Sequence, residues 1–241
     1  MDEALARAVI ISDIEAVKRI LKSGVKSGVK INLYDNILFW VAPRKSNINL
    51  YNLLLKNGAN IDATMKRSEH SSFNSIITYR RREKLHLLTD ILEKNADIEV
   101  VKYLLKKGAI IEKYYSIEAV ILRSKLSSRL LSSGNENKNA MKLIDLLIQY
   151  GANINDTEPK TGQTNIMNVY NVELAKYFII RGANMYIKDK EGYNIFDYIL
   201  DEKTIKYLKK VNLLMSAIIA RKRNTQYFPK ELVIKTITEY L

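Results

Sequence analysis

The side chains able to do chemistry are few in this 241-residue chain, and their spacing does not bring them together. It has two histidines, His70 and His86, and neither has a histidine partner four residues away. A zinc site built on one helix face needs such a pair, so none is expected. Cysteine is absent. That removes thiolate nucleophiles, thiolate metal sites and disulfide frameworks together, and it suits a reducing compartment. The glycine patterns that cradle phosphate and the serine pattern of a nucleophile elbow are also missing. Acidic residues are plentiful, but no spacing sets two of them across a cleft. The expectation is a non-enzymatic protein without metal or cofactor. His70 and His86 read as exposed or packing residues, and Trp40 as part of the core.

The formal net charge is +13. Basic clusters at Arg80–Arg81–Arg82–Lys84, Lys106–Lys107 and Arg221–Lys222–Arg223 are scattered along the chain. Isoleucine, lysine, asparagine and tyrosine are all abundant, so the lysine excess follows composition as a whole. A solvated lysine-rich surface is the favoured reading. A basic surface for nucleic acid or anionic lipid is the alternative, with nucleic acid disfavoured because arginine and aromatic residues do not interleave. The start, MDEALARAV, lacks a basic n-region. The apolar run VNLLMSAIIA at 211–220 is too short to cross a bilayer. A monomeric intracellular protein is expected.

What the chain does carry is a repeated element. Five times a helix-forming stretch runs into a glycine: DIEAVKRILKSGV (13–25), NINLYNLLLKNGANID (47–62), DIEVVKYLLKKGAIIE (97–112), NAMKLIDLLIQYGANIN (139–155) and NVELAKYFIIRGANMY (171–186). Asp13, Asn47, Asp97, Asn139 and Asn171 sit where a short side-chain oxygen would cap a helix. Val100, Val101, Leu104 and Leu105 form a stripe that buries one helix face. Gly58, Gly108, Gly151 and Gly182 fall just past the last apolar residue, where a left-handed backbone ends a helix. A unit of this kind cannot bury its apolar face alone. It must stack on its neighbours into an elongated solenoid.

These residues resemble the second helix and turn of the ankyrin repeat, roughly V-x-x-L-L-x-x-G-A-x. The first-helix half survives as TGQTNIMNV (161–169) and DKEGYNIFDYI (189–199), and more weakly as NILFWVA (36–42) and SSFNSIIT (71–78). The glycines from Gly24 to Gly182 are spaced 34, 50, 43 and 31 residues apart, against a family period of about 33. The excess of 17 falls at Tyr79–Asn95 and reads as an extra or lengthened helix. The excess of 10 falls at Ser124–Asn139 and reads as a surface loop.

The resemblance implies an all-α solenoid over 1–210, with about five repeats and a partial sixth, followed by a helical extension over 211–241. It implies a protein partner, held by the hairpin tips and the inner helices. Candidate tip residues are Asp62, Met65, Lys66 and Arg67; Lys113, Tyr114 and Tyr115; Asp156, Glu158 and Lys160; and Lys188, Asp189 and Lys190. Tyr114 and Tyr115 are the best anchors by residue type.

The tail carries a second resemblance. Phe228, Pro229, Glu231, Leu232, Ile237, Tyr240 and Leu241 are similar to the opening of an F-box, as in the PRANC segment that ends many poxviral and intracellular-bacterial ankyrin proteins. That likeness implies a ubiquitin-ligase adaptor as partner and a host-directed role in the host cytoplasm. The other reading is a helix that caps the last repeat. Far-UV circular dichroism of the protein should show a predominantly helical spectrum; a sheet-rich spectrum would contradict the repeat assignment.

Overall fold

The computed structural model describes residues 3–26, 37–66, 84–94, 96–130 and 136–222. Arg67, His70, the SSFNSIIT stretch and the F-box-like tail lie outside the described residues, as do Arg80–Arg82.

Among the described residues, six helix pairs follow one another. The first is α1 (Glu3–Ile10) with α2 (Ile14–Lys26). The second is a 3-10 turn (Ile37–Trp40) with α3 (Ile48–Lys56). Next come α4 (Leu87–Glu93) with α5 (Ile98–Lys106), and α6 (Lys113–Leu130) with α7 (Glu136–Gln149). The fifth pairs a 3-10 turn (Asn165–Asn168) with α8 (Val172–Ile180). The sixth pairs α9 (Ile195–Tyr198) with α10 (Glu202–Lys222). The first members of the pairs contact one another in sequence order, and so do α2 with α3, α5 with α7, α7 with α8, and α8 with α10. Tyr103 of α5 donates to Asn52 of α3 at 3.2 Å, closing the row of second helices. The core is the continuous apolar layer between the two rows, and the α5 stripe from Val100 to Leu105 lies in it. Burying each such side chain contributes about 1.5–3 kcal/mol.

The turn glycines behave as their spacing predicts. Gly58, Gly108, Gly151 and Gly182 have φ between 85° and 103°. In each case the following alanine amide bonds back across the turn, as from Ala109 to Leu104 O at 3.0 Å, while Gly108 bonds to Leu105 O at 3.0 Å. This is the Schellman pair, which satisfies two carbonyls that would otherwise be stranded. Gly24 differs, because α2 continues through it to Lys26.

The expected caps divide. Asp13 accepts from Ala16 N at 2.9 Å, and Asn171 from Leu174 N at 2.9 Å. Asp97 stands at its helix start but accepts from Lys45 N at 2.6 Å, tying the third repeat to the second. Asn47 turns its amide to Ala42 O, and Asn139 lies inside α7.

Both expected insertions are corrected. The helix read at 79–95 is the third repeat's own first helix, α4. It follows a short antiparallel pair, β1 (Thr64–Lys66) and β2 (Lys84–His86). The added length falls between these strands, at 67–83, outside the described residues. The expected loop at 124–139 is mostly helical: α6 runs to Leu130 and α7 begins at Glu136. α6 buries Ser116, Glu118, Ser124 and Ser127 beside Ile117, Val120 and Ile121, so its sequence shows no clean apolar stripe. Trp40 is also corrected. It ends a 3-10 turn and is exposed. Helix α10 carries on through 210, the expected boundary between array and extension. No described helix is long and apolar enough to cross a membrane.

A Cβ at Gly151 would meet nothing within 4 Å, whereas one at Gly162 (φ +78°) would meet Lys190 N at 3.1 Å. Gly151→Val should therefore cost only backbone strain, about 1–2 kcal/mol. Gly162→Val should cost more, because the neighbouring hairpin must also yield. Lys138→Ala should change stability by under about 0.5 kcal/mol. Urea denaturation of the three variants checks this order.

Candidate partner-binding surface

Four second helices, α3, α5, α7 and α8, end in a glycine turn, and the chain then runs outward as a hairpin before the next repeat. The asparagine that follows Gly-Ala shapes the exit. Asn60 accepts from Asp62 N at 2.9 Å, Asn153 from Asn155 N at 3.0 Å, and Asn184 from Tyr186 N at 2.8 Å. These are Asx turns, in which the side chain replaces a backbone carbonyl. Two residues on, the side chain reaches the next repeat. Asp62 accepts from Ile110 N at 3.2 Å, and Asn155 from Asn184 N at 2.8 Å. Asp62 is thus a clip between hairpins.

Glu158 and Asp189 hold the last two described hairpins from inside. Glu158 is fully buried. Its carboxylate accepts from Tyr115 OH at 2.7 Å, from Thr161 N at 2.6 Å and from the Thr161 hydroxyl at 2.8 Å. Burial pushes this carboxyl up, but the hydrogen bonds from Tyr115, Thr161 and Lys160 outweigh it and hold it below the usual range. Asp189 accepts from the amides of Glu191 and Tyr193, each at 2.9 Å, and from Tyr198 OH. The Tyr198 bond, then those amides, hold its carboxyl low despite some desolvation. Gln163 donates to Tyr198 OH at 2.6 Å, which links the two hairpins.

The structure separates the expected tip residues into two groups. Tyr114 and Tyr115 open helix α6 and are not tip residues. Tyr114 is 1% exposed; its hydroxyl accepts from Asn168 at 2.6 Å and its carbonyl from Asn165 at 3.1 Å. Replacing this pair would unpack the repeat. Glu158 and Asp189 likewise point inward, and Met65 packs against the core. Lys66 lies on β1. Lys113, Lys160, Lys188 and Lys190 are exposed, with Lys190 also donating to Pro159 O at 2.8 Å. Lys113 and Asp156 come together in a groove of about 400 Å³ between the third and fourth turns, beside Ile111 and Tyr150.

Sequence reasoning missed the exposed aromatics. Tyr186 and Tyr193 are each 48% exposed and flank the hairpin held by Asp189. Tyr186 donates to Asn212 of α10 at 2.7 Å, and Tyr193 meets Tyr198 edge to face at 6.4 Å. A signal was available: Tyr193 precedes Asn194, whose capping box opens α9 and turns the chain away from it.

This arrangement of stacked helix pairs and projecting hairpins is an ankyrin-repeat solenoid, all-α among the described residues apart from the short strand pair. Two solved structures share it. The ankyrin repeat domain of Bcl-3, described as a unique member of the IkappaB protein family, is 18% identical; the match covers 86% of this chain and 98% of that one, with a TM-score of 0.50. EF0377, an ankyrin repeat protein, is 20% identical over 81% of this chain and 89% of that one, with a TM-score of 0.51. No family model and no curated protein matches the sequence.

The low carboxyl values carry a pH dependence. A carboxyl lowered on folding stabilises the protein above its unfolded value, near 4.5 for Glu158. That contribution disappears as pH falls through the lower folded value. Glu158→Gln should therefore melt below the parent at neutral pH, and the gap should close on acidification below about pH 4. Thermal melts across this range check it; a gap independent of pH would show that the charge is not what stabilises.

Proposed function

We propose that the chain is a non-enzymatic protein-recognition scaffold whose contacts come from the hairpin tips and the inner-helix face. One observation supports this most. Glu158 and Asp189 are spent inside their hairpins, while Lys160, Lys188, Lys190, Tyr186 and Tyr193 face solvent from the same segments. Such tips are ordered before binding, so a partner does not bear the cost of fixing them. Tyrosines beside positive charge suit a partner with an acidic and partly apolar surface. The ankyrin-repeat fold favours protein partners in general.

The sequence supports a finer reading for the tail. The F-box-like residues from Phe228 to Leu241 fit recruitment of a cullin-type ubiquitin-ligase adaptor, the array then presenting a substrate in a host cell. Capture of the adaptor by the parent but not by a chain truncated at 223 tests this. Loss of thermal stability on truncation, without adaptor binding in the parent, would leave the tail as a cap.

For the tips, the test is affinity capture followed by titration of the captured protein. Tyr186→Ala with Tyr193→Ala should weaken binding by about 2 kcal/mol, roughly thirtyfold. Helical circular dichroism should be retained. Unchanged affinity would move the site off the tips.

A further inference from the structure

The fold brings the scattered lysines into register. On the second helices, the residue five positions after the helix cap is Lys18, Lys102, Lys176 and Lys206 in α2, α5, α8 and α10. Nine positions after the cap stand Lys22, Lys56, Lys106 and Lys210. Because α2, α3, α5, α7, α8 and α10 form one continuous row, these positions make two lysine lines along the outer face. They run on the side opposite the first helices. Lys203, Lys206 and Lys210 are all exposed, and Leu213 continues their stripe on α10, itself 71% exposed.

Helix electrostatics explains only part of this. Lys56 and Lys106 lie in the last turn of their helices, where the helix dipole favours cations, and Glu15, Glu99 and Glu173 lie in first turns, where it favours anions. The earlier lysines are different. Lys18–Lys22, Lys102–Lys106 and Lys206–Lys210 are like charges one turn apart, an arrangement that costs helix stability. Lys18 keeps Glu15 at 2.6 Å in an exposed pair, and the lines remain positive overall. The lines are interrupted at Asn52 of α3 and Ile180 of α8, and Lys176 lies half-buried over the Tyr207 ring at 5.2 Å. In the fourth repeat Asp145 and Gln149 occupy both positions, and Asp145 is engaged by Arg181 and by Tyr177 OH.

We propose that this outer face docks on an anionic lipid surface. Paired lysines about one helix turn apart on α2, α5 and α10, with single lysines on α3 and α8 between them, spread over helices about 8–10 Å apart and form an interrupted two-dimensional array. Such an array, spread over a surface, matches a plane of headgroups better than the single track of a nucleic-acid backbone. Lysine rather than arginine supplies it, so the planar forks that read phosphates and base edges are largely missing. A basic cluster of this kind is attracted to a phosphatidylserine surface, with each lysine adding to the affinity. The exposed Leu213 supplies an apolar side chain at one end of the stripe.

The face is distinct from the hairpin tips, so the two can be tested apart. Full-length protein is sedimented with phosphatidylcholine vesicles, with and without phosphatidylserine, at about 0.15 M ionic strength. The parent should bind the phosphatidylserine vesicles alone. Replacing Lys18, Lys22, Lys102 and Lys106 by glutamine should weaken binding more than about tenfold. The Lys102→Gln, Lys106→Gln pair should give an intermediate loss. Removing the same charge from the other side, by Lys84→Gln, Lys113→Gln, Lys160→Gln and Lys188→Gln, should leave binding within about twofold. Equal loss in that control would overturn the assignment. So would binding without phosphatidylserine, or tighter binding to a DNA duplex at equal phosphate concentration.

Discussion

The structure depends on one backbone reversal, the left-handed glycine that ends each of four second helices. A helix that stops there leaves carbonyls exposed, and the Gly–Ala pair satisfies them by turning its own amides back. The reversal ends the helix at a fixed point and launches the chain toward the next hairpin. Alanine at the next position is buried in every copy. The turn is therefore both cap and packing contact. A side chain with a Cβ could occupy the space at Gly108 or Gly151; it is the dihedral that excludes it.

Given that reversal, neighbouring repeats are locked by polar clips as well as by the apolar layer. Asp62 to Ile110, Asn155 to Asn184 and Asp97 to Lys45 each join one repeat's side chain to another's backbone. On the outer side, Tyr177 donates to Met141 O and to Asp145, and Arg181 lies over the Tyr177 ring at 3.9 Å. Desolvation first, then the Asp145 contact, pushes the Tyr177 hydroxyl up. These contacts join adjacent repeats, as expected of a solenoid whose stability is a sum of nearest-neighbour terms.

The second helices were legible in the sequence because their signal is doubly redundant, an apolar stripe and a glycine at a fixed distance. The first helices were legible only in part: the readings at 36–42, 161–169 and 189–199 each contain one, the reading at 71–78 lies outside the described residues, and α4 and α6 were missed. α6 buries serines and a glutamate where a stripe would need aliphatics. Their partners are tertiary. Thr89 meets Ser116 at 3.4 Å, and Ser124 meets Tyr170 at 2.7 Å, and no local pattern encodes either. The tip residues were misjudged for a related reason. Residue type suggested anchors at Tyr114 and Tyr115, but both lie on a helix, and the hydroxyls serve Asn168 and Glu158. An aromatic in a turn-like sequence leaves the surface when a later repeat reaches back to cover it, as with Tyr114.

The fourth repeat shows how much irregularity the array tolerates. Its added residues extend α6 to 18 residues and start α7 early, at Glu136. The stacking positions are preserved because Gly151 still ends α7 at the same distance from its buried Ile144 and Leu147. Length was therefore added at the far ends of the two helices, away from the glycine turn and the hairpins. Asn137, in that early turn, is recruited by the next repeat: it accepts from Tyr170 OH at 2.8 Å and donates to Glu173 at 2.7 Å. The extension therefore anchors α8 from the side opposite the hairpins. The lengthened fourth repeat ends up bonded to its successor at both ends, through Asn137 and through Asn155, which is how an irregular unit can sit mid-array without interrupting the stack.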